Sequence, residues 1–599
     1  MKSDAHHNGL LLLTFSAVIG MATLATGAEP ESSRLIAGIG SAQSLLEDME
    51  YLVADLAGRQ ESFENNIFPN IDIFLIGVDQ ENPIRFDMLF SAENGQEIQA
   101  IIPVSDLDEF LDDNLDPIDI VPERDRKDRN LYELTGNVYE GWLRSLRDPD
   151  YAVIFPRQEW IPKDMEHPAD LHKDLVEKGY GLFAHVVHDA AKMDARSTAF
   201  DSMRTSTIES IQKRTDETQN AHELRQAWLN EQLAIFQQWF VECSEFTVGT
   251  DLDRKTDVLG ATLEFSAIPN TPLAENIARI SDNASYFAAI QQPIDAILTA
   301  RVHLAHDDRT AKGLIELYKK SEVVAQEQID EDKNASDAEK VARKESSKLL
   351  NDVLIRSTDM TLLDAMVDVV PSGDHHVLIL GVRCIGQDSI QAIVDKLPES
   401  IEGWTVENGV ADVGGTKISK IGLGKNVPQA LIDLYGESVA SAYVAASDKA
   451  FWLAFGENAV EELSKRIEAA QSAQNLASDG TVLSVKAKAT PLVESLNGLL
   501  NDEASIFSPA FNRQQERVEN RISQREEDEV GTGRQAASAF LTFEWISKVV
   551  EAMKGEDDTL TIQLKNTSEN TLTGDAQTHR AILKAMGTMI ANFADENLQ

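Results

Sequence analysis

Apolar and polar positions alternate with a period of two through IRFDMLFS, which puts Ile84, Phe86, Met88 and Phe90 on one face and Arg85 and Asp87 on the other. ENGQ turns the chain at Asn94-Gly95, and EIQAIIPV runs back. Side chains on an extended backbone point alternately up and down, and Asn-Gly accepts the positive φ of a type I′ turn, so this stretch predicts a β-hairpin. SDLDEFLDD follows as a helix, with Ser105 as its N-cap.

That strand, strand, helix order recurs. EFTVGTDL, a polar DRKTD turn and VLGATLEFSA give a second hairpin, with Leu259, Ala261, Leu263 and Phe265 on one face. TPLAENIARI continues it as a helix with Pro272 in the first turn, where its missing N–H costs nothing. AYVAA, SDKA and FWLAFG lead into ENAVEELSKRI, and TVLSVKAKA leads into TPLVESLNGLL. TLTIQLKN and NTLTGDA precede HRAILKAMGTMIANF. Residues 271–287 match residues 490–507 with a single-residue insertion, which reads as an internal repeat.

Other stretches have helical spacing. SAQSLLEDMEYLVADLAGRQ is one, and HELRQAWLNEQLAIFQQWF carries a stripe of Leu224, Trp228, Ile235 and Trp239 that predicts core packing. Residues 313–357 are charged, with DEDKNASDAEK as a polar tip, and predict a solvated helical hairpin or linker. Paired strands punctuated by helices, without regular βαβ alternation, define an α+β chain of mainly antiparallel sheet covered by helices. The expected layout is a signal peptide at 1–28, an N-terminal helical segment at 29–70, an α+β lobe at 71–312, the charged segment at 313–357, and a related lobe at 358–599.

Composition then narrows the setting. The chain opens with one lysine, an apolar run from Leu10 and a small-residue end at Ala28, the pattern of a secretory signal peptide. A membrane anchor needs about twenty apolar residues and basic flanks; this run holds Thr and Ser and is followed by acid. No later segment reaches a spanning length. The formal charge is −46, and loss of Lys2 and Asp4 with the leader leaves it unchanged. So acidic a chain repels nucleic acid and anionic membrane surfaces. Its acids are spread along the whole length, the pattern of a solubilising surface. Cys243 and Cys384 are the two cysteines, too few for a disulfide framework or a thiolate zinc site.

The candidate chemistry centres on two His-x-x-His-Asp segments. FAHVVHD holds His185, His188 and Asp189, and VHLAHDD holds His303, His306 and Asp307. Both segments look like strands, where positions three apart point to opposite faces, so the two histidines of either cannot share one ion from a regular strand. In the second, Leu298, Ala300, Val302 and Leu304 form the apolar face, while Arg301 and His303 are expected to face water. One histidine from each strand with an aspartate could still converge as the three or four ligands zinc needs. DDNLDPIDIVPE places Asp112, Asn114, Asp116 and Glu123 at calcium-loop positions, but Pro117 stands where the sharp turn needs Gly. GESVA around Ser438 has a helix before it and a strand after it, the reverse of a nucleophile elbow. GLGKN at Lys425 lacks the phosphate-loop framework. GIGSAQ, with Gly38 and Gly40, lacks a third glycine and a strand in front. DHH at Asp374–His376 reads as a solvated strand end.

IRFDMLFSA with AIIPVSDLDEFL, then DYAVIF, VLGATLEFSAIPNTPLAENIA, IDEDKNASDAEK and AFWLAFGENAVEEL resemble, in that order, an uncharacterised family of exported proteins from planctomycete bacteria. The resemblance implies export and the repeated strand-strand-helix layout, and carries no activity or catalytic residues. The expectation is a non-catalytic exported protein of the periplasm or cell surface. It would need no cofactor, would have no nucleic-acid partner or membrane span, and would bind a protein or cell-envelope partner or serve structurally. The alternatives are a metal-dependent hydrolase built on the histidines and aspartates above, and a calcium-dependent surface protein.

Overall fold

The computed structural model describes residues 33–598 except 92–94, 116–117, 137–138, 148–149, 162–166, 172–177, 216, 283, 425–426, 428, 473–477 and 495–550. Among the described residues twenty strands pair edge to edge in one sheet, and every pairing is antiparallel. In chain order they begin with β1 (Ser33–Ile39), β2 (Ile84–Ser91), β3 (Gly95–Pro103), β4 (Ile120–Arg124) and β5 (Leu131–Gly136). Next come β6 (Gly141–Leu146), β7 (Tyr151–Phe155), β8 (Leu182–His188), β9 (Cys243–Asp253) and β10 (Val258–Ala267). The remainder are β11 (Leu298–Ala305), β12 (Leu362–Ser372), β13 (His375–Arg383), β14 (Thr405–Val413) and β15 (Thr416–Gly422), followed by β16 (Ser441–Ala446), β17 (Ala450–Gly456), β18 (Thr481–Lys488), β19 (Thr559–Ser568) and β20 (Thr571–Thr578).

Across the sheet the order is β4-β5-β6-β7-β3-β2-β1-β8-β9-β10-β20-β19-β18-β11-β12-β13-β17-β16-β15-β14. The α+β character with antiparallel strands therefore holds. Strand pairing runs unbroken through the residues read as two lobes, and β11, inside the 71–312 boundary, pairs with β12 and β18. The N-terminal segment is helical only from Ala42: Ser33–Ile39 is a strand in the middle of the sheet, between β2 and β8. Gly38 and Gly40 do follow or sit in a strand, contrary to expectation. Their role is close packing, since a Cβ on Gly38 would meet the Phe183 ring at 2.4 Å and one on Gly40 would meet the Tyr180 carbonyl at 2.1 Å.

Among the described residues the sheet has two edges, β4 and β14. β4 carries Pro122, which has no N–H to offer a new strand, and β14 has an irregularity in its register between Glu407 and Ala411. Both devices discourage edge-to-edge pairing.

Helices pack on both faces of the sheet, most of them on its apolar side. The main ones are α1 (Ala42–Glu50), α2 (Met193–Glu209), α3 (Gln219–Val241), α4 (Pro272–Asp282), α5 (Asp308–Glu331), α6 (Asp337–Thr358), α7 (Gln387–Ser400), α8 (Gln429–Tyr435), α9 (Ala459–Ser472) and α10 (Arg580–Asn597). The charged segment is a helical hairpin of α5 and α6, capped at its tip by a reciprocal Ser336–Glu339 capping box. Before β4 the helix N-cap is Asp106, whose carboxylate accepts from the backbone N–H groups of Asp108 and Glu109; Ser105, the expected cap, donates instead to the Val78 carbonyl. The α3 stripe is not a simple core face either. Trp228 is 56% exposed, while Glu231, Gln237 and His222 are buried, because α3 packs on one side against α2 and on another against α5. The signal-peptide residues, Asn94, Asp116, Pro117, Lys425 and most of the 490–507 repeat segment lie outside the described residues.

Candidate functional site

Register fixes which side chains share a face. In the central strands Leu252, Leu259, Thr578, Leu560, Ala487 and Leu298 form one cross-strand row, with Val248, Leu263, Gly574, Leu564 and Leu483 in another, both mainly apolar and on the helix-covered side. On the opposite side the rows are polar: Asp251-Gly260-Gln577-Thr561-Lys486 and Gly249-Thr262-Asp575-Gln563-Ser484. Period-two alternation thus gives β9, β10, β20, β19 and β18 one apolar face and one hydrophilic face.

The hydrophilic face is indented near β9 and β10 by an open groove of about 500 Å³. Two glycines shape it. A Cβ on Gly249 would lie 2.3 Å from the Tyr180 ring, so the missing side chain lets that ring settle on the strand. Gly260 has no atom nearer its virtual Cβ than the Asp251 carbonyl at 3.8 Å, so its absence of side chain keeps the floor open. Thr262 Oγ1 donates to the Tyr180 hydroxyl at 2.9 Å, and Lys178 Nζ reaches Glu264 at 3.4 Å. At the rim, Asp253 accepts from Thr256 Oγ1 at 2.7 Å and from the Lys255 N–H at 3.0 Å, which holds its carboxyl below the usual range. Asp251 and Gln577 complete the lining with further hydrogen-bonding groups. The groove contains no histidine or cysteine. Nothing in the sequence reading pointed here, although two glycines inside alternating strands were a visible signal of close backbone approach or open floor.

The histidine segments lie elsewhere and do not assemble. FAHVVHD is strand β8 and VHLAHDD begins in β11, with β9, β10, β20, β19 and β18 between them. His185 and His188 point to opposite faces. His185 Nδ1 bonds Thr247 Oγ1 at 2.8 Å, whereas His188 Nδ1 sits 3.2 Å from the Cys243 carbonyl with its ring edge-on to Phe240. Burial, with the nearby Arg196 charge, pushes His188 down to about 4. Asp189 and Asp307 are helix caps, accepting from the backbone N–H groups of Ala191 at 2.9 Å and Thr310 at 2.7 Å. His306, lowered by burial, pairs through its backbone, donating to Thr361 and accepting from Arg279. Among the described residues no three His, Cys, Asp or Glu side chains are grouped to hold a metal ion.

Arg301 and His303 do not face water. Their strand face is covered at β11 and β12 by α9 and the segment around Tyr286. Arg301 Nη1 and Nη2 grip Asp368 at 2.6 and 3.1 Å, and Arg466 of α9 lies 3.5 Å from the same carboxylate. His303 Nδ1 is 3.6 Å from Asp364, which also accepts from Ser285 Oγ at 2.7 Å and the Tyr286 N–H at 2.6 Å. Asp364 and Asp368 have no exposed surface. Alternation tells which face a side chain takes, and it is silent on whether a helix will later lie on that face.

The remaining motifs are structural. Asn114, a proposed calcium ligand, donates its amide to the Phe74 and Ile76 carbonyls. Ser438 donates to the Tyr435 carbonyl at the end of α8. Cys243 and Cys384 are both free and buried, and burial raises their thiols to about 12 and about 11. Among the described residues no helix is long and apolar enough to cross a membrane. Comparison with protein-family models, with curated proteins and with solved structures finds no match.

Proposed function

We propose that this is an exported, non-catalytic binding protein whose ligand site is the groove on the hydrophilic face of the central strands. The observation that carries the reading is the pairing of an open, glycine-floored groove with walls rich in hydroxyl, amide and carboxylate groups. Its lysine is tied to Glu264 and one of its acids to a turn. Such a lining offers donors and acceptors to a hydroxyl-rich ligand. The flanking edges carry Pro122 and a strand irregularity, so the face is better suited to contact than the rim. The apolar leader at Leu10–Ala28, the overall charge of −46 and the resemblance to exported planctomycete proteins support a place in the periplasm or at the cell surface.

The ligand class that fits is a neutral oligosaccharide of the cell envelope. Titration calorimetry of the chain against neutral oligosaccharides tests this, with Gly260→Val as the control. Valine suits a strand and has room at this position, yet it fills the groove floor. Binding to the native chain and at least about tenfold weaker binding to the variant are expected, because a filled pocket loses about 1.4 kcal/mol or more. Equal binding by both, or none by either, overturns the groove as the site.

A further inference from the structure

We propose that the chain is a two-fold pair of ten-strand units fused into one polypeptide, each unit completed by the last helix of the other. This rests on strand order and helix packing and is independent of the ligand. From the β10–β20 seam outward, one side reads β10, β9, β8, β1, β2, β3, β7, β6, β5, β4, and the other reads β20, β19, β18, β11, β12, β13, β17, β16, β15, β14. Each strand of the second series is the strand ten places later in the chain. Two unrelated units would not be expected to share so long a non-sequential order. A two-fold axis through a sheet also demands that equivalent strands meet antiparallel, and β10 and β20 do, with Leu259 opposite Thr578 and Ser266 opposite Thr571.

The helices obey the same operator. After β10, α4 crosses the seam and packs Leu273, Ile277 and Ile280 with Ala305 of β11, Val482 of β18 and Leu572 of β20. After β20, α10 crosses the other way and packs Leu583 with Leu252 of β9, Leu259 of β10, and Leu52 and Leu56 beyond α1. Further along α10, Ala591 and Ala594 meet Val53, Phe63 and Ile67 of the first unit. Gly587 allows that approach, since a Cβ there would lie 1.9 Å from the Leu52 carbonyl. Such a reciprocal exchange has the geometry of a swapped dimer. It sets a repeat phase different from the match of 271–287 with 490–507, because Thr271 follows β10 whereas Thr490 follows β18.

Two measurements on the full chain test the proposal. A protease site placed between Gln291 and Asp295, in the exposed connection before β11, allows the folded protein to be cut between the units. Both fragments are expected to elute as one particle of the intact size and to part only in denaturant. Separation or precipitation in native buffer overturns the proposal. Hydrogen exchange on the uncut variants Leu583→Ala and Ile277→Ala then reads where each helix acts. Leu583→Ala should speed exchange by about tenfold or more in β9 and β10, and Ile277→Ala in β18 and β20, each in the unit that does not carry the substitution. Faster exchange confined to the substituted unit overturns it.

Discussion

His188 offers the sharpest quantitative test of the core. Its imidazole is 5% exposed, lies edge-on to Phe240, and has Arg196 as a charged neighbour. Burial pushes its pKa from 6.5 down to about 4. The protonated form is the one disfavoured by folding, so between those two values the unfolded chain holds a proton that the folded chain refuses. Stability therefore falls as pH drops through this window and is fully present above the unfolded value. A depression of about 2.5 units corresponds to about 3 kcal/mol between pH 7 and pH 4. Asp48 acts with the opposite sign: burial raises it to about 6, so the folded chain gains from protonation there as pH falls. Comparing the native chain with His188→Gln cancels that contribution, because both carry Asp48. Urea unfolding of the two proteins at pH 7 and pH 4 should show the native chain losing about 3 kcal/mol more than the variant over this interval. An identical loss in both would refute the argument, as would a direct NMR titration of the His188 ring near 6.5.

Three further outcomes are expected. Asp368→Ala removes the carboxylate that Arg301 grips in a buried site and leaves Arg466 with Glu462 alone, and it should destabilise the chain by about 3–5 kcal/mol in denaturant unfolding; a loss under about 1 kcal/mol would show that water reaches the guanidinium groups. Native protein at pH 8 should resist alkylation at Cys243 and Cys384 while unfolded protein yields two reactive thiols, because burial holds both thiols protonated. Untagged protein should contain far less than one zinc per chain by elemental analysis, and a stoichiometric content would revive the hydrolase alternative.

Much of the secondary structure was legible because the periods were strong. The alternation in VLGATLEFSA and IRFDMLFS and the helical runs after Pro272 and Arg580 correspond to observed strands and helices. β1 was missed because SRLIAGI has three small or glycine residues and no alternation, being buried between two strands rather than half-exposed. Arg301 and His303 were expected to face water for a related reason. A charged residue on the polar face of a strand looks solvated in sequence whether water or another element ends up above it, and both Asp87 and Asp368 are fully buried.

The groove was harder to read for a different reason: its sequence signal, two glycines inside alternating strands, is a lack of side chains. Gly249 and Gly260 contribute no side chains, and the groove takes its polar lining because Asp251, Thr262 and Gln577 arrive beside them through the pairing of β9, β10 and β20. β20 begins more than 300 residues after β10 ends, counting from Ala267 to Thr571. No local pattern reports a contact that distant. The same long-range pairing answers the question the histidines posed. Their spacing of three on a strand already divides His185 from His188, and the five strands inserted between β8 and β11 divide one motif from the other. Topology therefore takes apart the site that the motif suggested and builds, at the seam, a groove that no motif announced.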